Sequence, residues 1–126
     1  MTAKIEEYAE EKGLHIVIAF CNSAGNPILA HVMDGAFLVS YELASSKAFI
    51  AVALNMPTDE ISKLAQPGEA LYGIDRVNQK PITIVGGGVL IKADGKTIGG
   101  LGISGGTAEE DVEIANYGLE VLKELL

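Results

Sequence analysis

The stretch Gly100-Leu101-Gly102-Ile103-Ser104-Gly105, GLGISG, spells G-x-G-x-x-G and runs directly into GTAEEDVEIANYGLEVLKELL, which has helical patterning. A glycine run at that place constrains the fold more than any other feature. Each glycine either closes a tight turn or lets another backbone come close. A dinucleotide fingerprint has meaning only inside a βαβ unit, where a second parallel strand follows the helix and carries a ribose-binding acid about 20 residues on. No such strand follows within these 126 residues. The helix also opens with Glu109, Glu110 and Asp111, whose charge would repel a pyrophosphate at its positive end. Gly99, Gly100 and Gly102 are therefore expected to be packing glycines that admit a helix or a neighbouring subunit. Ser104, Gly105 and Gly106 carry an alternative role, as N–H donors to a ligand carboxylate. Gly87 and Gly88 share the ambiguity, with a bulge or bend as their structural role.

Around these glycines the chain reads as one domain over residues 1–126. Helical spacing of Ile5, Tyr8 and Ala9 predicts a helix over 2–12, ended by Gly13. LHIVIAF (14–20) and PILAHVM (27–33) flank the turn formers CNSAGN as a hairpin. With the turn centred on Ala24, Ile16, Ile18, Phe20, Ile28, Ala30 and Val32 share the core face. His15, Val17, Ala19, Leu29, His31 and Met33 then share the other, and a one-residue slip exchanges the sets. FLVSYELASSKAFIAVALN (37–55) predicts a buried helix ending before Pro57, and Thr58 is placed as the N-cap of a short helix through Ala65. Asp34 is expected to cap the helix after it. PITIV (81–85) and GVLIKADGKTIGGLGIS read as strands, with Asp94-Gly95 as a hairpin turn. Thr107 and Glu110 form a capping box, and Val112, Ala115, Leu119 and Leu122 form the apolar stripe of the last helix. The order α-β-β-α-α-β-β-β-α predicts an α+β fold with a five-stranded antiparallel sheet and helices mainly on one side.

Composition narrows the partners. A formal net charge of −8 works against nucleic acid and anionic membranes. The N-terminus is too charged for a signal peptide, no apolar run reaches spanning length, and Cys21 is the only cysteine. A cytoplasmic protein without an internal disulfide is expected.

Several blocks resemble the GlcG/HbpS-like family of small haem-binding and diol-utilisation-associated domains, related to the PduO C-terminal domain. They are MDGA (33–36), SSKAFIA (45–51), LYGI (71–74), GGG (86–88) and IGGLGISGGTAEEDVEIA (98–115), and the resemblance covers nearly the whole chain. Leu90 stands where the family usually has proline. The resemblance implies a profilin-like (PAS-like) fold, homo-oligomers and, for some members, binding of haem or a related tetrapyrrole or corrinoid. A small-ligand-binding accessory protein, linked to diol or glycolate utilisation, is the expectation. An enzyme acting on a small carboxylate or hydroxy acid is the alternative, and a purely oligomeric interaction domain is a third. No nucleotide cofactor is expected.

The chemistry-bearing side chains are few. His15 and His31, placed on one sheet face with Met33 opposite His15, are candidate haem-iron ligands, since imidazole and thioether are the usual axial groups. Lys47 stands in an otherwise uncharged helix and matches the family's lysine, so it either snorkels to water or pairs with the carboxylate of a ligand. Arg76, beside Tyr72, either pairs with Asp75 or clamps a carboxylate or propionate. Cys21 reads as an inert buried thiol, the serines at 40, 45 and 46 lack a nucleophile elbow, and the acids of 109–113 read as a solvated helix start. No acid–base pair can be assigned. Because Val17, Ala19, Leu29 and Met33 would leave an apolar face open, a homodimer or higher assembly is expected.

Overall fold

The structure is a computed structural model and describes residues 1–76 and 84–125. Its elements are α1 (Thr2–Glu11), β1 (Val17–Asn22), β2 (Pro27–Val32), α2 (Ser40–Leu54), α3 (Thr58–Leu64), a 3-10 turn (Ile74–Arg76), β3 (Gly88–Ala93), β4 (Lys96–Ser104) and α4 (Ala108–Leu125). Four helices accompany one antiparallel sheet of four strands in the order β2-β1-β4-β3. The α+β class is as expected. The fifth strand expected at PITIV falls largely outside the described residues, and its last two, Ile84 and Val85, are not strand.

The first hairpin turns where the sequence places it. Asn22 Oδ1 accepts the N–H groups of Ala24 (3.0 Å) and Asn26 (2.9 Å), and Cys21 lies opposite Pro27. A bulge then leaves Ile28 unmatched, so Phe20 pairs with Leu29, Ile18 with His31 and Val17 with Val32. The expected faces are corrected by this one-residue slip. Ile18 and Phe20 share their face with Leu29 and His31, whereas Val17 and Ala19 share theirs with Ala30 and Val32.

Helices cover both faces, not mainly one. Ile16, Ile18, Phe20, Val89, Ile91, Leu101 and Ile103 pack with Met33 against Ile5 and Ala9 of α1 and Ile114 and Ala115 of α4. On the opposite face α2 lies over β4, β1 and β3. There β3 and β4 present glycines: a Cβ on Gly102 would overlap the Ala44 carbonyl oxygen, one on Gly88 the Lys47 carbonyl, and one on Gly100 would sit 2.5 Å from the Ala48 oxygen. Gly88, Gly100 and Gly102 are thus a seat for α2, and for Gly100 and Gly102 the packing expectation holds for a helix of the same chain; Gly99 instead lies against the Cys21 carbonyl of β1. Val17 and Ala19 are buried beneath Ala44 and need no partner subunit.

Three local expectations shift. Thr58 is not a cap; Pro57 holds that position, and the buried Thr58 hydroxyl accepts the Gly88 N–H at 2.8 Å, tying α3 to β3. Asp34 is exposed and caps nothing, since α2 starts behind Val39 without a side-chain cap. The buried face of α4 is Asp111, Ile114, Ala115, Gly118 and Val121, rotated from the expected stripe, with Leu119 and Leu122 packed at its margin. The rotation follows from Gly118, whose missing side chain makes room for Leu101 and Ile5.

Candidate functional site

Lys47 faces the sheet from α2, and its side chain is carried past the glycine turn toward the start of α4. Its Nζ donates to the Ile103 carbonyl (2.9 Å) and to Asp111 Oδ2 (2.9 Å). Both residues are 2% exposed. The other carboxylate oxygen, Asp111 Oδ1, accepts the Gly106 N–H at 2.9 Å. Gly87 lies against the pair: its φ is +126°, and a Cβ there would stand 3.0 Å from both Lys47 Nζ and Asp111 Cβ. Glycine is therefore required at 87 by conformation and by space. Burial pushes the Asp111 carboxyl above the usual carboxylate range, partly offset by the Lys47 ammonium and the Gly106 N–H.

This cluster gathers Lys47, Gly87, Gly88, Ser104, Gly105 and Gly106 at one end of the sheet. Both expected roles of Lys47 are corrected: it neither reaches solvent nor waits for a ligand's carboxylate, because its anion is the chain's own Asp111. Asp111 is also the residue that sequence reasoning missed, by grouping it with the solvated acids. Its spacing held the signal, because 111, 115 and 118 recur at i, i+4, i+7 on the buried side. The capping box forms as expected, with Thr107 N–H to Glu110 Oε1 (2.8 Å) and Glu110 N–H to Thr107 Oγ1 (3.2 Å). The amino end of α4 is thus taken up by carboxylates of the chain, which disposes of the dinucleotide reading.

The remaining candidates lie elsewhere. Tyr72 and Arg76 are exposed on and beside the 3-10 turn, and among the described residues Arg76 makes no ion pair with Asp75. The two histidines occupy opposite sheet faces, which corrects their assumed diagonal contact. His31 is paired with Glu6 of α1. Met33 lies opposite Ile16, not His15: its N–H donates to the Ile16 carbonyl at 3.0 Å, and its buried sulfur accepts the Ile16 N–H at 3.4 Å. His15 is exposed, and its ring lies over Gly35, where a Cβ would stand 3.3 Å from the imidazole. Two residues beyond Gly35 the chain presents Phe37 (74% exposed), Leu38 (95%) and Val39. An open imidazole thus sits near an apolar surface segment.

Cys21 is buried, and burial pushes its thiol up, as expected for an inert cysteine. Among the described residues no three of His, Cys, Asp and Glu gather to hold a metal ion. A second polar cluster joins α1 to α4: Tyr8 stacks on Tyr117 with centroids 4.2 Å apart, and its hydroxyl donates to Glu113 at 2.7 Å. Lys12 also meets Glu113 and, foremost with Tyr8 second, holds that carboxyl below its usual range.

A four-stranded antiparallel sheet with one helix seated on its glycine face and two against its aliphatic face, pinned by a buried lysine–aspartate pair, defines a compact α+β class. The chain belongs to the HbpS-like family, described as haem-degrading protein HbpS-like, whose model matches residues 1–120. It is 38% identical over 125 residues to an uncharacterised 15.0 kDa protein of the dhaT-dhaS intergenic region of Citrobacter freundii, covering 99% of this chain and 88% of that protein. It is also 38% identical to the corrinoid adenosyltransferase PduO of Salmonella typhimurium, spanning 97% of this chain but only 36% of the transferase. Among solved structures, a PduOC–haem complex superposes with a TM-score of 0.90 at 39% identity, over 94% of this chain and 86% of that one. Crystalline HbpS gives 0.81 at 31% identity, over 94% and 81%. No helix among the described residues is long and apolar enough to cross a membrane.

Proposed function

We propose that residues 1–126 act as a single cytoplasmic haem-binding domain serving an accessory role. The observation that carries this is the 39% identity to a protein crystallised with haem. The exposed His15 and the neighbouring apolar residues Phe37 and Leu38 support the reading, because haem needs an axial donor and apolar contact for its ring. His15 would hold the iron from its seat on Gly35, and Arg76 with Tyr72 would be available to propionates. When bound, the group would supply an iron able to exchange ligands and electrons. Corrinoid binding ranks lower, since the chain spans about a third of PduO. A link to diol or glycolate utilisation rests on family resemblance alone.

Titration with hemin is expected to give a Soret shift that saturates at defined stoichiometry. His15→Ala should weaken it by about tenfold or more in Kd, with circular dichroism unchanged. Failure of wild type to saturate removes haem from the proposal, and unaltered affinity in the variant moves the ligand away from His15. The enzyme alternative loses its principal anchor, because Asp111 already occupies the Lys47 ammonium.

Assembly from several copies belongs to the same proposal. Among the described residues β2 is an edge strand whose six residues are all exposed, and to its Ile28 and Val32 the following segment adds Phe37, Leu38 and Tyr41, exposed apolar side chains in a chain that is otherwise acidic. Leu38→Glu is expected to shift light-scattering mass toward the monomer at micromolar concentration. A wild-type monomer under those conditions overturns the assembly.

A further inference from the structure

Among the described residues β3 is the last strand of the sheet, and α4 crosses beside it, leaving a cleft of about 220 Å³ lined by Leu90, Ile91, Lys92, Leu119, Leu122 and Lys123. Four aliphatic residues and two lysines line it, and among the described residues no acid does. In a chain with 17 acids and 9 bases, a cleft lined by two of the bases and none of the acids is a local reversal of charge. Lys123 has one ionic partner among the described residues, Glu120 at 3.5 Å on the same helix, and both are well exposed. Such a pair contributes little and yields readily to another anion. Lys92 is exposed and makes no ion pair among the described residues. Lysine stems can lie along apolar surface while the ammonium groups stay in water, which places positive charge at the mouth of an aliphatic slot.

From this the geometry points to a binding site for an amphipathic monoanion: a straight aliphatic chain bearing one carboxylate. The volume sets the size. At about 220 Å³ the cleft falls below the range that buries a drug-sized ligand, which suits a medium-chain fatty acid. The chain would lie along β3 at Leu90–Ile91, against Ile91 and the Leu119–Leu122 pair, and its carboxylate would meet Lys92 and Lys123. Opposite charge at the mouth selects the head group, and the aliphatic lining excludes a strongly hydrated anion. This site lies on the α4 side of β3, rests on none of the residues assigned to haem, and stands or falls separately.

The test uses the 15N-labelled protein with octanoate, followed by amide shifts. Saturable shifts are expected, centred on Leu90–Lys92 and Leu119–Lys123. Octyltrimethylammonium should produce none there, and octanol should bind more weakly. Combined Lys92→Glu and Lys123→Glu should lower octanoate affinity by about tenfold, while hemin titration of that variant matches wild type. Equal binding of the cationic chain, shifts scattered away from the cleft, or full affinity in the charge-reversed variant would overturn the site.

Discussion

Asp111→Ala is expected to destabilise the fold by about 3–5 kcal/mol, because it strands the Lys47 ammonium in a setting where each partner is 2% exposed. The loss should appear as a lower urea midpoint with an unchanged slope. Lys47→Met combined with Asp111→Leu should recover most of it, since apolar residues of similar size remove both desolvation costs at once. A single variant within about 1 kcal/mol of wild type would mean that the pair is open to water, contrary to its burial. The pH dependence has a definite sign. Burial raises the Asp111 pKa, so the folded chain holds that proton more tightly than the unfolded chain does. Its contribution to stability is greatest below the unfolded value, declines as pH rises from the usual carboxylate range to the raised value, and is level above it. The stability of wild type minus that of Asp111→Asn should therefore fall with rising pH across that window. Glu113, whose pKa is lowered, acts in the opposite sense but is present in both proteins and cancels.

Gly102→Ala should cost about 3 kcal/mol or more. The added methyl would overlap the Ala44 carbonyl oxygen and stand 2.8 Å from the Ala48 nitrogen, and neither backbone atom can move without lifting α2 from the sheet. Gly95→Ala is the contrast. Nothing lies within 4 Å of a Cβ there, and only the left-handed φ of +75° opposes it, at about 1–2 kcal/mol. Thermal melts of the two variants separate close approach from backbone conformation. Comparable losses would mean that α2 is not seated on the glycines.

Which parts were legible follows from how local each determinant is. The Thr107–Glu110 capping box, the Asp94-Gly95 turn and the hairpin turn at Ala24 all formed where the sequence placed them, because each is settled by residues within four or five positions. The pattern of IGGLGIS announced a close approach, and α2 proved to be what approaches. The core residues Ile16, Ile18 and Phe20 of the first strand were legible, but the register of β2 was not, since one unmatched residue, Ile28, exchanges which of its side chains share their face, and nothing in its neighbourhood marks it. Likewise Lys47 was recognisable as an anomaly, a charge in an apolar helix, but its partner lies 64 positions away.

Alone, then, the sequence determined the α+β class, the two glycine clusters as points of close approach, the capping box of the last helix, and a lysine out of place in an apolar helix. Tertiary structure decided which residues of β2 share the core face of β1, that helices cover both sides of the sheet, that His15 and His31 stand on opposite faces, and that Asp111 answers Lys47. The division has one physical cause. Caps and turns are fixed by short-range hydrogen bonds and backbone torsions, whereas register, helix seating and buried charge pairing depend on which distant surfaces exclude water together.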